Sequence, residues 1–118
     1  TLQQSINARR AADMAALACA SVGEPAPALV VATWQGESWV FPWSHLVSVR
    51  WESSEGRERL SFVFTGYAMG IEGRNLRSLL ADVAGFRLGS LRELPTEYEN
   101  RLSADAPFVG RIEVRPEK

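Results

Sequence analysis

Between Ala28 and Glu72 the chain alternates apolar and polar residues with period two, a pattern that commits this stretch to strands with one covered face. Leu29-Val30-Val31-Ala32-Thr33-Trp34 is a continuous, β-branched run that suits a strand covered on both sides. Beyond the turn Gln35-Gly36-Glu37, the side chains of Trp39, Phe41 and Trp43 share one face of a second strand. Pro42 confines that strand to an edge or ends it, since proline has no N–H for a ladder. Val47, Val49 and Trp51 alternate in a third strand, and Ser53-Ser54-Glu55-Gly56-Arg57 makes an exposed turn. Leu60, Phe62 and Phe64 alternate in a fourth strand. Gly66 permits a tight reversal into a fifth, where Tyr67, Met69 and Ile71 alternate. Short connections between five strands predict an antiparallel, curved meander.

Helical periods flank this region. Seven alanines between positions 8 and 20 predict a helix from Leu2 to Ser21, ended by Gly23 and Pro25. Leu2, Ile6, Met14 and Leu17 lie on one side of it. Ala8, Ala11, Ala12, Ala15, Cys19 and Val22 form a second, small-residue stripe that suits packing on a neighbour. The same segment imitates an export signal, with Arg9 and Arg10 before an Ala-rich run and Ala18-Cys19-Ala20, but Asp13 interrupts its apolar part. Leu76, Leu79, Leu80 and Val83 recur at helical spacing, with Asn75 as N-cap and Gly85 as the left-handed stop. Residues 95–118 read as a loosely structured tail, with one turn of helix after Pro95 and a short strand at Phe108–Val114. The expected fold class is α+β: an N-terminal helix, a five-strand antiparallel curved meander, a second helix and a C-terminal tail with a short strand. The 118 residues form one domain.

Composition narrows the chemistry. Cys19 and His45 are the sole cysteine and histidine, so neither an internal disulfide nor a Cys/His zinc site can be assembled, and no cofactor is expected. Thirteen basic against fourteen acidic side chains argue against a generally basic nucleic-acid surface. No apolar run reaches the ~20 residues of a membrane helix, so no membrane partner is expected. Ser44 and His45 are adjacent in an extended segment and point apart. Cys19 in an Ala-rich helix reads as a small buried thiol rather than a nucleophile.

Four tryptophans lie between positions 34 and 51. Trp39, Phe41 and Trp43 on one face are read first as the inside of a curved sheet, and second as a stacking platform for a base, a sugar or a partner's proline. Candidate binding residues are therefore Trp39, Phe41, Trp43 and the neighbouring His45, with Arg74 and Arg77 as a local basic patch at the start of the second helix. Glu52, Glu55, Glu58, Glu93, Glu97 and Glu99 lie near turns and in the tail and are read as solvated surface carboxylates.

A curved meander beside a helix resembles small Sm-like β-barrels and, equally, a reduced pleckstrin-homology-like sheet, in architecture alone. The favoured function is a non-enzymatic binding or assembly module of a bacterial cytoplasm, acting through protein–protein contacts with itself as a homo-oligomer or with another protein. Two alternatives stand beside it. One is an Sm-like barrel that binds RNA or single-stranded DNA; the other is a small-molecule or enzymatic pocket around His45.

Overall fold

The structure, a computed structural model, describes residues 18–117. Eight strands dominate it: β1 (Ala20–Val22), β2 (Ala28–Ala32), β3 (Ser38–Pro42), β4 (Leu46–Ser54), β5 (Arg57–Phe64), β6 (Tyr67–Arg74), β7 (Leu88–Arg92) and β8 (Phe108–Pro116). One short α-helix, α1 (Leu79–Ala84), and two 3₁₀ turns at Trp43–His45 and Thr96–Arg101 complete the described elements. The strands form two four-stranded sheets. The first has the order β1-β7-β2-β3 and the second β4-β5-β6-β8.

This corrects the α+β expectation: the domain is a two-sheet β structure with little helix, not a meander flanked by helices. The five strands read from the alternation lie close to where they were predicted, but they do not form one sheet. β2 and β3 pair with each other, and β2 then runs parallel to β7, while β4, β5 and β6 continue antiparallel to β8. The break falls at Pro42, which cannot extend the ladder, and the chain turns through Trp43–His45 into the other sheet. Neither a closed Sm-like barrel nor a single pleckstrin-homology-like sheet results.

The N-terminal helix expected over Leu2–Ser21 lies mostly outside the described residues. Within them, Ala20–Val22 is a strand paired to β7 through Ala20↔Leu91, and Cys19 is buried. Ladder pairing and burial override alanine's helix propensity here. The second helix starts three residues later than predicted. Asn75 is not its cap: it sits in the left-handed region at φ 58° and donates its side-chain amide to the Ala104 and Ala106 carbonyls. The stop is not Gly85 (φ −92°) but Phe86 (φ 57°), and Arg87 N–H closes the end on the Asp82 carbonyl at 2.8 Å. In the C-terminal segment, the predicted short strand is a nine-residue strand paired along β6.

Both sheets contribute to one core. Leu29, Val31 and Phe41 come from the first sheet with Leu88 and Leu91; Leu60, Phe62, Phe64, Met69, Ile71 and Ile112 come from the second. Gly73 meets β8 where the register shifts, and a Cβ there would overlap the Phe108 carbonyl, so this position accepts only glycine.

Glu93 ties the sheets together at one end. Its carboxylate accepts the Trp34 N–H at 2.8 Å through Oε1 and the Ile112 N–H at 2.7 Å through Oε2. Glu93→Ala leaves both amides without that acceptor and is expected to cost about 2 kcal/mol, with Glu93→Gln costing less because one oxygen remains. Urea unfolding of the two variants side by side measures the difference.

Candidate functional site

The aromatic face read from the sequence points inward. Phe41 and Trp43 are buried and Trp39 is half-buried. Trp39 stacks on Phe41 at 5.8 Å between centroids, Phe41 stacks on Phe64 of the opposing sheet at 4.6 Å, and Trp43 lies 6.4 Å from Phe64. These rings join the two sheets and offer no open platform. His45 is exposed at the end of the 3₁₀ turn, and its carbonyl accepts the Thr65 N–H at 2.8 Å. Trp34 is the most exposed tryptophan, at 55% against 5% for Trp43. Trp34→Phe is therefore expected to remove most of the iodide-quenchable tryptophan emission, leaving a blue-shifted, protected remainder.

The two arginines do not form a basic patch. Arg74 is half-buried and paired with Glu99 at 3.2 Å, and Glu99 also holds Arg57 at 3.3 Å. Arg77 is exposed; its guanidinium lies 5.2 Å from the Trp51 ring centroid, a cation–π contact, and it forms no ion pair among the described residues. Cys19 is buried with its thiol directed at the Val109 carbonyl (3.8 Å), and burial pushes that thiol up, away from the reactive thiolate. Among the described residues no three His, Cys, Asp or Glu side chains gather as metal ligands.

What the sequence reading did not assemble is a groove between β4 and α1. Trp43, Leu46 and Val49 form one wall and Leu80, Val83, Ala84 and Phe86 the other of a shallow, open groove of about 410 Å³. Leu46, Val49 and Leu80 are only half covered, and Phe86 is 47% exposed. Phe86 holds a left-handed backbone that costs a residue with a Cβ about 1 kcal/mol or more, so its ring is kept at the groove's end against local preference. Trp43 adds a polar feature. Its indole Nε1 is buried and has no hydrogen-bond partner among the described residues.

A separate polar pocket of about 320 Å³ lies around Trp51, lined also by Ser53, Glu58, Asn75, Arg77, Ser78 and Asp105. Glu58 builds this pocket. Its Oε1 accepts Trp51 Nε1 at 2.8 Å, Leu76 N at 3.0 Å and Arg77 N at 3.1 Å, and its Oε2 accepts Asn75 N at 2.8 Å. Burial raises the pKa of this carboxyl, but the bonds from Trp51, Asn75, Arg77 and Leu76 outweigh it and hold the group below the ordinary glutamate value. One ionised side chain thus fixes the chain entering α1, against the expectation of a solvated carboxylate.

A second concavity, of about 520 Å³, lies on the outer face of the β4–β8 sheet. Its charges answer one another. Glu52, Arg59, Glu72 and Arg111 pair in register across all four strands, with Arg59–Glu72 at 2.9 Å and Arg111–Glu72 at 4.0 Å. Such a row is a solvated face whose charges are matched from strand to strand.

Comparison with known protein families, curated proteins and solved structures finds no match to this chain. No helix among the described residues is long and apolar enough to cross a membrane.

Proposed function

We propose that this domain is a protein-binding module that takes an apolar segment of a partner chain into the groove between β4 and α1. The carrying observation is the groove's composition: half-exposed aliphatic side chains from two elements, closed by an exposed aromatic ring on a strained backbone. Such surface normally either packs internally or contacts a partner. None of the seven side chains that line it is a nucleophile or a general base, which favours binding over catalysis. Protein–protein contact also fits the balanced charge, since nucleic-acid binding needs unmatched cations.

A peptide-display selection on the purified domain tests this, run in parallel on Ala84→Trp. Ala84 is exposed, so a tryptophan there fills the groove without disturbing the core. The expected result is a convergent family of apolar peptides that binds the natural domain and not Ala84→Trp. Failure to converge, or equal binding by both proteins, refutes the groove as the site. Self-association through the same surface would instead give a concentration-dependent mass in light scattering that Ala84→Trp abolishes.

A further inference from the structure

We infer that the occupant of this groove is an extended peptide that adds as a fifth strand along β4, with apolar side chains toward Trp43 and an acidic side chain toward Arg77. The inference rests on the groove reading above and names what the groove selects.

Main-chain pairing comes from the edges. Of the four strands that end a sheet, β1 has three residues, β3 stops at Pro42, and β8 has its outer edge occupied. There, Leu94 N–H donates to the Val109 carbonyl at 3.0 Å and Glu93 accepts the Ile112 N–H. β4 has nine residues, no proline, and no strand on its far side among the described residues. Proteins usually block a long strand edge of this kind, because its unpaired N–H and C=O groups template another strand. Val47, the second residue of β4, is 68% exposed. Nine residues span about 30 Å, and over that length β4 lines both the apolar groove, through Leu46 and Val49, and the polar pocket, through Trp51 and Ser53.

Side-chain selection comes from the lining. At the Trp43 end the walls are aliphatic and aromatic, which suits apolar side chains of the added strand. At the other end the charges are not equivalent. Glu58 has its carboxylate engaged by four donors, and Asp105 is turned onto the Ser103 hydroxyl. Arg77 lies 5.2 Å from the Trp51 ring centroid and forms no ion pair among the described residues, so its guanidinium fork is available to a carboxylate. A strand antiparallel to β4 would begin at the Arg77 end, which puts the acidic residue toward its amino terminus.

The test uses fluorescein-labelled synthetic peptides with valine at alternate positions, threonine between, and either glutamate or lysine at the amino end. Binding to the whole domain is read by fluorescence anisotropy. The glutamate peptide is expected to bind roughly tenfold more tightly than the lysine peptide. Arg77→Gln should erase that difference and Arg77→Glu should invert it. N-methylation of one alternate set of peptide amides should abolish binding, while methylation of the other set should leave it intact, because successive amides of a strand face opposite edges. Equal binding of both peptides, or indifference to methylation of both sets, overturns the inference while the groove reading stands if Ala84→Trp still blocks binding. If Ala84→Trp leaves binding unchanged, the groove reading itself falls.

Discussion

Replacing Glu58 by alanine is expected to lower the unfolding free energy by about 3 kcal/mol, because one side chain satisfies four donors and water can reach only some of them afterwards. The loss should show first at α1, whose entry the carboxylate fixes, as faster hydrogen exchange at Leu76 and Arg77 and a red shift of Trp51 emission. Glu58→Gln keeps an acceptor but loses the charge, and should fall between the two. The ionised form is what the four donors favour, so its stabilisation is complete above the pKa of the unfolded chain and disappears as pH falls through the lower folded value. Acid unfolding of the natural domain should therefore steepen below the ordinary glutamate range, about pH 4.3. Glu58→Gln should lose less stability than the natural domain over that interval. Urea midpoints at stepped pH measure both, and parallel pH profiles for the two proteins would contradict the argument.

Phe64→Ala is expected to be the most damaging single truncation, at about 4 kcal/mol. Phe64 is 2% exposed and touches rings from three directions: Phe41 at 4.6 Å, Phe62 at 6.1 Å and Trp43 at 6.4 Å. Removing it opens a cavity between the sheets that neither sheet can close without breaking its own ladder. Against a typical stability of about 5–15 kcal/mol, a loss of this size leaves little margin. Val63→Ala, one residue away on the outer face, should cost about 1 kcal/mol or less. Urea titration followed by circular dichroism separates them independently of tryptophan signals. Similar losses at both positions would mean that the two sheets do not depend on this contact.

The alternation at Leu60, Phe62 and Phe64 made their burial readable, and the same parity reaches back to Glu58. A glutamate on the core face of a strand was the available sign that this carboxylate has structural partners, and the turn beside it obscured that sign. The inward turn of Phe41 and Trp43 was likewise legible as the core reading of the aromatic face. The division into two sheets was not. It depends on β7 joining β2, and Leu88–Arg92 carries no alternation of its own, with Gly89 and Ser90 at its centre. β1 was hidden within an alanine-rich stretch whose local preference is helical. The groove was invisible for a related reason. Its walls come from residues 43–49 and 80–86, each apolar for ordinary packing reasons, and only the topology leaves them half covered. Left-handed Asn75 and Phe86 displaced the expected cap and stop, which shows how tertiary contacts reset helix ends.

The parallel pairing of β2 with β7 also sets an order in time. β4, β5 and β6 are joined by the tight turns at Glu55-Gly56 and Thr65-Gly66, so they can find one another locally. Val30 meets Ser90, sixty positions along the chain, and that closure is entropically expensive until the hairpins between them have folded. The β4–β6 hairpins should therefore form early and the β2–β7 seam late. An edge strand that matures ahead of its partner sheet stays exposed through much of folding, so β4 is also where two unfinished chains would first adhere.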